Sequence, residues 1–306
     1  MDRAENSIKA VLVAAFVLAV LVPALAGADT VRRSFDVVGD GTLAIDTDLG
    51  GIDVRAGAAG RVLVTVEREA RSGDDEDFEL SFDQSGDDVR VTGTRPGGSW
   101  GWNSGNRFRV HFEVEVPAGF SVDLSTSGGS ISVASLSGDV ACATSGGDVA
   151  LDDVGGRVDC RTSGGDIEIG KVAGTVLAKT SGGDIRIDRS GGSVVAKTSG
   201  GNIVVDEVLG SIEASTSGGS VRATIASQPL ADCRLTTSGG RVELTIDPSV
   251  AANLDAKTSG GSVHVDFPVT VQGEIGRSSL QAVMNGGGPQ IYLRTSGGGI
   301  HLKSLN

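Results

Sequence analysis

The chain reads as an all-β protein: a parallel β-solenoid, or single-stranded β-helix, of about 18 residues per coil with an irregular N-terminal β cap. Three observations predict it. The run Thr-Ser-Gly-Gly occurs nine times, starting at Thr126, Thr144, Thr162, Thr180, Thr198, Thr216, Thr237, Thr258 and Thr295, and the first six copies are 18 residues apart. A fixed period of this size marks a unit that cannot bury its apolar face alone and must stack on copies of itself. Between the runs, apolar and polar residues alternate with a period of two, as strands with one buried face require. A Gly or Gly pair recurs about every ninth residue of the repeats, which would break any helix laid over them.

Residues 1–28 read as a signal peptide. Arg3 and Lys9 flank an apolar run from Ala10 to Val22, Pro23 follows, and Ala24-Leu25-Ala26 or Ala26-Gly27-Ala28 supplies small residues at cleavage-site spacing. The run falls short of the ~20 residues that span a bilayer, so the protein meets a membrane only if this segment is retained. No Cys follows the run to accept a lipid anchor. The mature chain is therefore expected outside the cytoplasm, in the periplasm, on the cell surface or secreted.

Residues 29–121 alternate less regularly. Strands are expected over Val31 to Val38, Leu43 to Asp48, Ile52 to Arg55, Val62 to Glu67, Phe78 to Asp83, Val89 to Thr92 and Arg107 to Val116. They are placed as a cap on the N-terminal end of the solenoid, where an open core and an unpaired edge need cover. Leu43 to Val54, with Gly50-Gly51 at its turn, already resembles one coil.

Residues 122–306 form the repeat solenoid. Ile131, Val149, Ile167, Ile185 and Ile203 stand five residues after a repeat Thr, and Val140, Val158, Val176, Val194 and Ile212 stand four before one. Both rows should point inward. Cys142, Cys160, Ala178, Ala196 and Ala214, two before a Thr, imply a thin core. Successive coils should pair in parallel and in register, so nine of them at ~4.8 Å give a rod on the order of 40 Å. The corner glycines are expected at positive φ, with Ser and Thr bonding the turn amides. Asp148, Asp166 and Asp184 face water in this reading and are neutralised by the adjacent Arg161, Lys179 and Lys197. The stretch from Val269 to Gln290 interrupts the last period and reads as a C-terminal capping excursion or a binding loop.

The repeated Thr-Ser-Gly-Gly-Asp-Ile at Thr162 and Thr180, the lead-in Val116-Pro117-Ala118-Gly119 and the closing Leu293-Arg294-Thr295-Ser296-Gly297-Gly298 carry a family resemblance. Together they resemble the exported bacterial family catalogued as domain of unknown function number 4097 and labelled "putative adhesin". The likeness covers nearly the whole mature chain. It implies a β-solenoid outside the cytoplasm and brings no catalytic motif.

Chemistry-bearing residues are few. Cys142 and Cys160 sit at the same coil position about 5 Å apart, close enough for a disulfide or for two buried thiols, while Cys233 should be unpaired. Trp100 and Trp102 share a Gly- and Ser-rich loop, where they offer a binding platform or fold back over a core edge. His264 and His301 share a coil position without an evident third ligand, and the acidic row lacks the pattern of the calcium-binding nonapeptide repeat. No cofactor and no metal are expected. A net charge of −13 argues against nucleic acid and anionic membrane surfaces as partners. The expected function is a non-catalytic, adhesin-like or envelope-associated binding or structural protein whose partner is a protein or glycan at the cell envelope. The alternative is a β-helix enzyme acting on polysaccharides.

Overall fold

Each repeat crosses the molecule twice, once in each of two stacked sheets. The computed structural model describes residues 28–70, 78–95, 108–271 and 276–305; the expected signal peptide, Ala28 apart, lies outside them. Every regular element among the described residues is a strand, arranged in one sheet of 13 strands and one of 14. No helix among them is long and apolar enough to cross a membrane.

In the first sheet Ile131–Leu136, Val149–Val154, Ile167–Val172, Ile185–Ser190 and Ile203–Val208 lie side by side in parallel. The second sheet carries Val140–Thr144, Val158–Arg161, Val176–Lys179, Val194–Lys197 and Ile212–Ser215 in the same way. Register follows the repeat: Val140 pairs with Val158, Val158 with Val176, Val176 with Val194 and Val194 with Ile212. At ~4.8 Å per strand the 13-stranded sheet is on the order of 60 Å long. It exceeds the length expected from the repeats because N-terminal strands join the same sheet.

The inward rows are those the alternation marks. Ile167, Ile169, Ile185 and Ile187 of one sheet face Val176, Ala178, Val194 and Ala196 of the other, all at most 2% exposed. Each buried Val or Ile contributes about 1.5–3 kcal/mol, and the alanines let the sheets approach closely. A single coil supplies one strand to each layer and no hydrogen-bonded neighbour to either. Its core exists only as part of the stack.

Each residue of the corner run has a physical reason. The Thr side chains are buried, and Thr162, Thr180 and Thr198 donate from Oγ1 to the carbonyls of Gly147, Gly165 and Gly183 in the preceding coil, at 2.8–2.9 Å. The same oxygens accept from the amides of Gly165, Gly183 and Gly201. One hydroxyl thus satisfies a donor and an acceptor that the corner would otherwise bury unpaired.

The second glycine of each run is required for space. A Cβ at Gly147, Gly165, Gly183 or Gly201 would lie 2.1 Å from the carbonyl oxygen of the equivalent glycine one coil earlier. At Gly128 and Gly146, the first glycines of their runs, a Cβ would meet nothing within 4 Å. Positive φ, expected at these corners, is not the reason: among the described glycines it occurs only at Gly50, Gly60, Gly86, Gly286 and Gly287. Close approach of backbone to backbone replaces turn strain as the cause.

The acidic row also differs from expectation. Asp148 accepts from the amide of Asp166, Asp166 from that of Asp184, and Asp184 from that of Asn202, through Oδ1 at 2.7–2.8 Å. These carboxylates are exposed, yet each clasps the next coil. Two of the basic residues expected to neutralise them turn elsewhere. Arg161 pairs with Asp159 at 3.0 Å and Lys197 with Glu213 at 2.7 Å.

At both ends, order along the chain and order in space part company. Near the N-terminus Thr42–Thr47 and Gly51–Ala56 form a coil in register with the repeats, Leu43 opposite Val122 and Ile52 opposite Ile131. Later strands, Asp88–Thr94 and Phe108–Val116, pair in parallel with its other side. Antiparallel strands follow outward: Arg61–Ala70 and then Ala28–Asp36 in one sheet, Glu79–Ser85 in the other.

The C-terminus repeats this device. Gln290–Thr295 pairs with Cys233–Thr237 on one side and with Ala252–Thr258 on the other. Ile300–Ser304 likewise lies between Val242–Ile246 and Val263–Val265. The latches follow this spatial order, since Thr295 bonds the carbonyl of Gly240 and Thr258 that of Gly298. Stacking in chain order, expected from the repeat, fails here. The excursion itself supplies Ser279–Met284, antiparallel to Ala252–Thr258, and the short Thr270–Val271 beyond it.

Candidate functional site

With hydroxyls and backbone groups engaged in the stack, the chemistry open to solvent lies on the outward rows of the two sheets. On the first sheet Arg186 pairs with Asp188 at 3.1 Å and with Asp206 of the next coil, and Arg189 meets Glu207 at 3.4 Å. On the second, Arg161 pairs with Asp159 of its own strand and Lys197 with Glu213 of the next coil. Exposed pairs contribute little stability, at most about 1 kcal/mol each.

One cluster stands apart from these pairs. At the C-terminal end of the first sheet His264 and His301 are register partners on adjacent parallel strands, with ring centroids 5.1 Å apart. Asp266 joins them. One carboxylate oxygen lies 2.9 Å from His264 Nε2 and the other 2.7 Å from His301 Nε2. The amide of Asp266 donates to the Leu302 carbonyl at 3.0 Å, which ties the loop after Val263–Val265 to the returning strand. Strand alternation could have found Asp266, two residues beyond His264 and so on the same face.

Beside the cluster an open groove of about 480 Å³ runs along Arg241, Glu243, Ser262, Gly299 and the two histidines. Glu243 accepts from Lys303 Nζ at 2.8 Å and lies 3.5 Å from Arg222. The Lys303 hydrogen bond, with the charges of Arg222, Lys303 and His301 behind it, holds the Glu243 carboxyl below its ordinary range, against the opposing effect of partial burial. The third histidine, His111, is far along the chain on Phe108–Val116 and meets Asp53 at 3.1 Å.

The other residues singled out from the sequence fall in different places. Trp100 and Trp102 lie outside the described residues. Cys142 and Cys160 are register partners, both buried and both free thiols. The Cys160 hydrogen bond first and burial second push the Cys142 thiol well above its ordinary range. Burial pushes Cys233, also a free and buried thiol, the same way. Such thiols stay protonated and unreactive.

Two sheets of stacked coils, latched at glycine corners by threonine, define a solenoid-like all-β protein. The chain matches the Toastrack DUF4097 family over residues 42–303 and belongs to it. No curated protein matches the chain in sequence. Among solved structures, a "putative lipid binding protein" from Parabacteroides distasonis is 12% identical, covers 92% of this chain and 98% of its own, and has a TM-score of 0.47. A "putative cell adhesion protein" from Clostridium sporogenes is 11% identical over 90% of this chain and 100% of its own, with a TM-score of 0.30. A "putative adhesin" from Bacteroides fragilis is 11% identical over 90% and 97%, also with a TM-score of 0.30. These descriptions belong to those proteins, and the family assignment rests on the sequence match.

Proposed function

We propose that the protein is a non-catalytic, exported rod that works as a binding platform or scaffold at the cell envelope, an adhesin-like role. The observation that carries the reading is the use of the repeat residues. Thr162, Thr180 and Asp166 hold coil to coil, and the outward faces are left with charge pairs, within a coil as in Arg186 with Asp188 and between coils as in Arg189 with Glu207. A surface that repeats along an axis suits a partner that also repeats, such as an envelope glycan or a fibrous protein. In this reading residues 1–28 are removed on export, the repeat unit is a coil of about 18 residues, and the outer antiparallel strands of residues 29–121 close the N-terminal end against edge pairing.

Protease shaving of intact cells, followed by fractionation, tests the proposal. Exposure at the surface, with binding to envelope or host glycans that tolerates single carboxylate changes, is the expected result. Protection inside the envelope contradicts adhesion. Glycan cleavage that disappears with one Asp or Glu substitution overturns the non-catalytic reading in favour of a polysaccharide-acting enzyme.

A further inference from the structure

We propose that His264, Asp266 and His301 form a binding site for one divalent transition-metal ion of the zinc class. Two imidazole nitrogens and a carboxylate are the donor set such ions select, whereas calcium and magnesium call for oxygen ligands throughout. The donor atoms already converge, all within 4.8 Å of one another. A tetrahedral ion with bonds of about 2.0–2.2 Å holds its donors about 3.3 Å apart, so small rotations of the exposed His264 ring and the half-buried His301 ring suffice. His264 and His301 are fixed by strand register and Asp266 by its backbone bond to Leu302.

Of the cations near the groove, Arg222 and Lys303 pair with Glu243, while Arg241 lines the groove itself. Three protein donors leave a fourth position, open to the groove, for a water or for a donor from a bound partner.

The position of the site gives the ion a structural consequence. His301 lies on Ile300–Ser304, the strand inserted out of chain order, and His264 and Asp266 belong to the outermost coil beside it. An ion held by all three joins segments 37 residues apart along the chain, from 264 to 301, and resists fraying at the end of the rod.

The test is zinc titration by calorimetry of the untagged protein, since a polyhistidine tag would bind the ion itself, with thermal unfolding in parallel. Wild type is expected to bind one Zn²⁺ per chain and to unfold at a higher temperature with the metal. His264→Ala and His301→Ala should each weaken binding at least tenfold and abolish that shift, while keeping the circular dichroism of a folded protein. His264 is largely exposed, so its replacement leaves the core intact. Absence of saturable zinc binding by wild type, or binding that survives either substitution, overturns the proposal.

Discussion

The interior coils and the two ends are built from the same strands, yet they obey different rules. From Val140 to Ile225 the chain advances one coil at a time, and each strand pairs with the strands one coil before and one coil after it. At the ends a terminal coil is enclosed instead: residues 42–56 lie between the coil of 88–116 and that of 121–136, and residues 290–304 between those of 233–246 and 252–265. A last coil left outermost would have one neighbour and could peel away from the chain end. An enclosed coil must break contacts on both sides to leave. What remains outermost is continuous with the chain in both directions; antiparallel strands edge it in both sheets at the N-terminal end and in the second sheet at the C-terminal end, where Val263–Val265 closes the first.

The largest effect expected from breaking this arrangement follows deletion of residues 290–306. It removes Ile291, Leu293, Ile300 and Leu302, all at most 1% exposed, and costs on the order of 6 kcal/mol or more. Limited proteolysis should then cut within residues 247–289. If coils stacked in chain order, those residues would stay protected.

Next comes a pair of substitutions in one interior corner. Gly147→Ala drives a Cβ to within 2.1 Å of the Gly129 carbonyl oxygen and should destabilise by about 3 kcal/mol, because the clash is with backbone that cannot rotate away. Gly146→Ala, one residue earlier in open space, should change stability by less than about 1 kcal/mol and in the favourable direction. Equal effects in denaturant titrations would show that corner spacing is not what fixes the second glycine.

A smaller loss is expected from Thr180→Val, which keeps the shape and removes the hydroxyl. It leaves the Gly165 carbonyl and the Gly183 amide without their Thr partner and should cost about 1–2 kcal/mol. The smallest effect concerns the thiols. Cys142, Cys160 and Cys233 should resist a thiol reagent in the native protein, and all three should react in denaturant without reductant.

The interior was largely legible from the sequence because period and alternation act in the same direction. Spacing of 18 residues sets the register, and strand alternation then assigns Ile167 and Ile185 inward and Arg186 outward. The cause of the corner run was less legible. Thr-Ser-Gly-Gly looks like a turn, but its second glycine answers to a carbonyl 18 residues earlier, a contact that local turn rules do not contain. The ends were least legible. Cys233 has two plausible partners one coil away, Leu254 by chain order and Ile291 by structure, and both are apolar residues in equivalent repeats. The cluster at His264 and His301 was half visible for the same reason: register brought the histidines together, and Asp266 was overlooked because it lies past the end of its short strand.

The most direct test of the enclosed C-terminal coil is disulfide trapping with the three native cysteines replaced by alanine. Arg234 and Tyr292 are outward register partners on adjacent strands, whereas Asp255 lies one strand further from Arg234, roughly 9.5 Å at the usual strand spacing. Oxidation of Arg234→Cys/Tyr292→Cys should form an intramolecular disulfide, and Arg234→Cys/Asp255→Cys should not, because Cα atoms more than about 7 Å apart cannot be bridged without backbone movement. Cross-linking of the second pair and not the first would mean that the coils stack in chain order, contradicting the enclosed end.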